Sequence, residues 1–181
     1  MYSSCIKMLK QSGVQIERGL TDEELFSVQK IYGIQFPEPL KEFLKAGLPI
    51  SQGFYNWRDT SEQNVRYIKR IIAWPVKSIC DLPQEADWCD AWGDEPEDEQ
   101  ERENIIKCKA KNSPLLLPIF YHRFMPTGEM KEYPVLSING SDVIYYGKNL
   151  ENYLQIEFGN EKQSDLDYSD IEYVPFWSDL L

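Results

Sequence analysis

Histidine is almost absent from this chain: His122 is the single imidazole in 181 residues. Any Ser–His or Cys–His mechanism would therefore have to run through it. No Gly-x-Ser-x-Gly elbow or comparable nucleophile context accompanies it, so a structural, hydrogen-bonded histidine is expected. Thirty acidic residues make any particular pair of catalytic carboxylates uninformative. Phosphate-binding glycine motifs are missing, and with them the signature of nucleotide cofactors. The four cysteines, Cys5, Cys80, Cys89 and Cys108, include no Cys-x-x-Cys pair, which leaves no zinc signature. Neither a metal nor a cofactor is expected, and free, mostly buried thiols are. No apolar run approaches the ~20 residues needed to cross a bilayer. The opening residues lack the apolar core of a signal peptide, so the expected location is cytoplasmic.

What the chain does have is acid. Its formal net charge is −11, and the excess is unevenly placed. Residues 81–103 hold eleven acidic side chains against Arg102 alone, and residues 151–181 hold eight against Lys162 alone. The remainder has 17 basic and 11 acidic residues, a mildly basic body carrying two acidic segments. Phosphate contacts need Lys and Arg, so direct nucleic-acid binding by these segments is disfavoured. A basic protein is the natural complement. An apolar share of 42% is ordinary for a globular protein, the 13% aromatics argue against disorder, and the length fits one domain, residues 1–181.

The centre of the sequence pattern is residues 114–158. Two β-prone runs, Val135-Leu136-Ser137-Ile138 and Asp142-Val143-Ile144-Tyr145, flank Asn139-Gly140. Asn-Gly in that setting predicts a type I′ hairpin with Asn139 and Gly140 as its loop, pairing Ile138 with Ser141 and Leu136 with Val143. The period of two places Leu136, Ile138, Val143 and Tyr145 on one face. Asn149 then caps a helix bearing Leu150, Tyr153, Leu154 and Phe158, and Gly159 ends it. Upstream, Leu115 to Tyr121 reads as a buried strand in which Pro118 demands an edge or a bulge.

Before this unit, residues 6–20 are ambiguous, with room for a short helix. Thr21 and Glu24 form a capping box for a helix burying Leu25, Val28 and Tyr32, widened by Phe26 and Ile31 and stopped at Gly33. A second helix starts near Pro39, buries Leu40, Phe43 and Leu44, and ends at Gly47. The aromatic loop that follows (Phe54, Tyr55, Trp57) should pack. A third helix over about 61–74 carries Val65, Ile68 and Ile72 inward, and Arg66, Lys69 and Arg70 on a face that is either solvated or open to an acidic ligand. Another helix begins near Glu97, its acidic start and basic end matching the helix dipole. That accounts for about half of the acidic run without any partner. Trp88 and Trp92, set among acids, serve either as anchors of the loop or as interface residues. Residues 160–170 read as polar and mobile, and 171–181 as a docked terminal segment.

The run Leu20-Thr21-Asp22-Glu23-Glu24-Leu25, followed by Tyr32-Gly33-Ile34-Gln35-Phe36-Pro37-Glu38-Pro39-Leu40-Lys41-Glu42-Phe43-Leu44, resembles the N-terminal signature of the SUKH superfamily. Leu117-Pro118-Ile119 resembles its central strand. The stretch from Asp142 to Leu154 resembles its last strand and closing helix, in the manner of SMI/KNR-type bacterial immunity proteins. The chain departs from the pattern at Ala46-Gly47-Leu48-Pro49, where the family carries a Gly-rich turn. The resemblance covers about 20–158. It implies an α+β domain with helices around a mixed or antiparallel sheet, and a cytoplasmic antidote that occludes a polymorphic toxin, often a nuclease. The partner-binding residues expected for such a role lie in the acidic insertion: Asp87, Trp88, Asp90, Trp92, Asp94, Glu95, Glu97, Asp98 and Glu99. A regulatory or scaffold module is the alternative, and a hydrolase using His122 is a further one.

Overall fold

The computed structural model describes residues 2–181 and is α+β, with a four-stranded antiparallel sheet at its centre. The sheet is a meander of β3 (Leu116–Phe120), β4 (Arg123–Pro126), β5 (Val135–Asn139) and β6 (Asp142–Gly147), in that spatial order. Both of its faces are covered. Leu117, Ile119, Met125 and Val135 face a first core built with α1 (Ser3–Gln11), α2 (Asp22–Tyr32), α3 (Glu38–Ala46) and α6 (Leu150–Phe158). Leu116, Phe124, Leu136, Ile138, Val143 and Tyr145 face a second core. That one is closed by the end of α4 (Glu62–Asp81), by α5 (Glu99–Lys111) and by residues 171–180. A two-stranded ribbon, β1 (Ile16–Glu17) with β2 (Leu48–Pro49), stands apart.

The helix signals act as their chemistry requires. The Thr21 hydroxyl accepts from the Glu24 amide at 3.2 Å, and the Glu24 carboxylate accepts from the Thr21 amide at 2.8 Å. Gly33 closes α2 in the left-handed conformation at φ 68°, which costs glycine nothing. Leu25, Val28 and Tyr32 are buried, but Phe26 is 68% exposed: one residue past Leu25, it is turned ~100° away from the buried stripe. Pro118 lies on the edge strand β3, beside a register shift between Pro118 and Phe120.

The hairpin keeps the expected face and changes its register. Asn139 pairs with Asp142 and Ile138 with Val143, so the loop is Gly140-Ser141. Gly140 alone in that loop has positive φ, at 67°, as a turn needing positive φ only at its first central position requires. A shift of two in the pairing leaves every side chain on its face. What it changes is the partner: Ile138 now opposes Val143 instead of Ser141, and Leu136 opposes Tyr145.

Helix α4 runs on through Pro75 to Asp81, seven residues past the expected end. An interior proline costs ~3 kcal/mol, and burial offsets it: Pro75 is itself buried and Ile79 is fully so. Ile68 and Ile72 sit in the first core and Ile79 in the second, so this helix joins the two. Residues 160–170, expected to be mobile, form two 3₁₀ turns tied to the edge strand β6: the Gln163 amide donates to the Tyr145 carbonyl at 3.1 Å. Covering an edge in this way satisfies its free carbonyls. Of the free cysteines only Cys5 is buried, and Cys108 is exposed on the outer side of α5, against the expectation of mostly buried thiols.

Arg58 ties the aromatic loop to the start of α2. Its guanidinium donates to Glu24 at 2.9 Å, to Glu17 at 2.8 Å and to the Arg18 and Gly19 carbonyls at 2.9 and 3.0 Å. Bonds from Arg18, then Arg58, and the Thr21 amide hold the Glu24 carboxyl well below the usual range. A carboxyl with a lowered folded pKa stabilises the fold above its unfolded pKa, and that share is lost as pH falls through the folded value. R58A should cost about 2–3 kcal/mol at neutral pH. Urea unfolding should show the gap to the wild type narrowing as the solution is acidified.

Candidate partner-binding surface

The acidic segment is an ordered strap that runs from the end of α4 to the start of α5. It contains two 3₁₀ turns, Pro83–Glu85 and Asp90–Trp92. Its apolar residues are few, so the strap is held by a small number of specific contacts. Trp88 and Trp92 meet edge to face at 5.3 Å. The Trp92 ring stacks on Phe176 at 5.9 Å and 9°, and the Lys109 ammonium from α5 lies 5.0 Å from its ring centre. Its indole N–H donates to Asp179 at 2.7 Å, and that of Trp88 to the Gly93 carbonyl at 2.8 Å. Trp92 thus fastens the strap to the C-terminal segment, Trp88 braces the strap on itself, and both pack half-buried against the second core.

Arg102 supplies the second fastening. From α5 it donates to Glu95 on the strap, and at 2.9 Å to the carbonyl of Ala86, whose side chain is buried. Asp98 caps α5 by accepting from the Glu101 amide at 2.8 Å. Glu95 and Asp98 are therefore occupied within the protein. Asp87, Asp90, Asp94, Glu97 and Glu99 are exposed, and no ion pair engages them among the described residues. Five carboxylates on a fastened backbone form a surface whose charge is fixed in space before any partner arrives. Such pre-positioning avoids the ordering cost that a floppy acidic loop would bear on binding.

The C-terminal segment is the floor beneath the strap. Trp177 is fully buried and donates from its indole N–H to the Pro114 carbonyl at 3.0 Å. Phe176 lies between Trp92 and Trp177 and has φ 69°, a left-handed conformation that is strained for a residue with a Cβ. Tyr173 donates to Asp179, which raises its own pKa to about 12. Sequence reasoning did not find Arg102, Phe176 or Asp179 as fastenings. Arg102 carried a legible signal, as the lone base among eleven acids. Phe176 and Asp179 lie more than seventy residues from the strap and carried none.

His122 sits in the turn between β3 and β4, with its ring exposed. Its carbonyl accepts from the Ile138 amide at 3.0 Å, while the ring makes no hydrogen bond among the described residues. The structural hydrogen bond expected of this side chain is thus absent. Partial burial and the neighbouring Arg123 lower its pKa. Arg123 turns inward to Ser137 at 2.9 Å and lies 3.7 Å from the Tyr146 ring centre, with Glu157 at 3.6 Å. Arg123 thus bridges Ser137 and Glu157 beside the Tyr146 ring. Among the described residues no helix is long and apolar enough to cross a membrane.

W92A should loosen the strap while sparing the fold. We expect faster amide hydrogen exchange over residues 87–95, with a loss of global stability of about 1–2 kcal/mol, because the indole is half-buried. Exchange that stays at the wild-type rate would mean that Arg102 and Trp88 hold the strap without it.

Set against known proteins, the chain matches no family model, no curated protein and no solved structure.

Proposed function

We propose that this protein is a cytoplasmic immunity protein that neutralises a basic toxin domain, such as a nuclease, by stoichiometric occlusion and without turnover. One observation carries the reading: Asp87, Asp90, Asp94, Glu97 and Glu99 project from a strap that Trp88, Trp92 and Arg102 fasten in place. A nuclease must present cations to bind phosphates, and a fixed array of carboxylates competes for the same cations. The resemblance of residues 20–158 to SMI/KNR-type proteins supports the same role. Charge steering would speed the encounter, and the strap's rigidity would limit what is lost on docking.

The test is co-expression with the toxin domain encoded in the adjoining reading frame. Cells carrying both should survive, and the two purified proteins should form a one-to-one complex in which toxin activity is lost. Full toxin activity at saturating amounts of this protein would overturn the proposal.

A further inference from the structure

A cavity of about 510 Å³ lies between the start of α1 and one side of α3, apart from the strap. Glu38 and Pro39, then Glu42, then Lys45 and Ala46 line it, recurring at the three- and four-residue spacings of a single helix face. The adjoining face of α3, with Leu40, Phe43 and Leu44, is buried in the first core. Tyr2 closes the cavity from the α1 side. Its ring meets Phe43 edge to face at 5.8 Å, and the residue is only 6% exposed. Its hydroxyl nevertheless makes no hydrogen bond among the described residues. A phenol removed from water normally finds a partner, so an unpaired one at a cavity wall points to a group that comes from outside.

The charges around the cavity decide what that group is. Glu38 is paired with Lys41 at 2.6 Å, and Lys45 with Asp22 at 3.0 Å. Glu42 is left with a long contact to Lys45, 3.7 Å, and no closer cation among the described residues. Burial, then the thiol of Cys5 and the carboxylates of Glu151, Glu132 and Glu42, push the pKa of the Tyr2 hydroxyl up to about 12. It therefore stays protonated at neutral pH, in a field that favours a positive neighbour. The start of α1 adds only a partial positive charge, against the whole charges of three carboxylates. An anion would face Glu42, and a neutral apolar molecule would leave the hydroxyl unpaired. A cation with N–H donors satisfies both groups, and the Tyr2 ring offers it an electron-rich face. Pro39, Ala46 and that ring supply apolar surface beside the two polar groups, the make-up of a small-molecule site.

We infer that this cavity binds a small primary amine with an apolar body. The ammonium donates to the Glu42 carboxylate and to the Tyr2 hydroxyl oxygen, and the body lies along Pro39 and Ala46. Tyr2 and α3 belong to the first core and the strap to the second, with the sheet between them. The amine site is thus separate from the partner-binding surface and does not depend on it.

Titration of the full chain with phenethylamine, followed by amide NMR shifts, tests this. The amine should bind with a dissociation constant of about 1 mM or tighter, and should shift the amides of Tyr2, Ser3 and α3. Phenethyl alcohol keeps the body and lacks the charge, and should bind at least ~10-fold more weakly. Phenylacetate should not bind. E42Q removes the charge and Y2F the hydroxyl, and each should weaken the amine by about 3–10-fold. Glu42 is half-exposed and the Tyr2 hydroxyl is unpaired, so the thermal midpoint without amine should stay at the wild-type value in both. A46F, at an exposed helix end, should block the cavity as a third and independent variant. No saturable shift at tens of millimolar amine overturns the inference, as do shifts confined to another part of the protein. Equal binding of the alcohol overturns it too, and so does an affinity unchanged in both E42Q and Y2F.

Discussion

Replacing Trp177 by alanine should unfold this protein more easily than any other single truncation outside the sheet. The side chain is fully buried, and emptying such a site costs about 3–5 kcal/mol through lost transfer energy and a residual cavity. For a chain of this length that is a fall in thermal midpoint of roughly 10 °C. Three further consequences follow from its neighbours. The Pro114 carbonyl loses its donor. Phe176 loses one of the two rings that hold it at positive φ, so its strain can relax by moving. Once Phe176 moves, Trp92 loses its stacking surface, and the strap should exchange its amides faster. Thermal melts and hydrogen exchange measured on W177A should show both effects together. A loss below about 1 kcal/mol would mean that residues 171–180 lie on the protein without closing its second core.

Much of this architecture could be read from local chemistry. The capping box at Thr21, the buried stripes of α2 and α3, the edge position of Pro118 and the face shared by Leu136, Ile138, Val143 and Tyr145 each depend on residues close together in the chain. What escaped was decided by distant contacts. Asn139-Gly140 specified a hairpin but left its register open, because a shift of two preserves the buried face. The pairing of Ile138 with Val143 then selected between the registers. The helix expected over about 61–74 stops one residue short of Pro75, whose local cost is large. The helix continues because Ile79, a turn later, finds the second core. The ribbon of β1 and β2 joins segments some thirty residues apart, each two residues long, too short for any periodicity to show.

The candidate surface divides along the same line. Its carboxylates were legible as a run of acid, since charge is a property of composition. The division of labour among them was not. Glu95 and Asp98, though exposed, are engaged by Arg102 and by the start of α5. Trp88 and Trp92 stood open as anchors or contacts, and stacking on Phe176 makes Trp92 an anchor. The identity of Phe176 as that anchor point is a fact of tertiary structure alone.

The largest effect on binding should come from the carboxylates that are left over. D87K/D90K/D94K moves the net charge by six, from −11 to −5, at positions that are exposed and that no ion pair engages among the described residues. None of the three fastens the strap, so thermal stability should stay within about 0.5 kcal/mol of the wild type. Association with a basic cognate toxin should slow by about 10–100-fold at low salt, because steering depends on the sum of charges facing the partner. Salt supplies the control. The wild-type association rate should fall steeply as ionic strength rises, whereas that of the triple variant should change little, and the two should converge once charges a Debye length apart are screened. Dissociation should accelerate as well if any of these carboxylates makes a desolvated pair with a toxin arginine or lysine, since breaking such a pair strands a charge. Stopped-flow kinetics at several salt concentrations separate the two effects. Unchanged association at low salt, with the complex still formed, would move the interface off the strap and onto a surface that these substitutions leave intact.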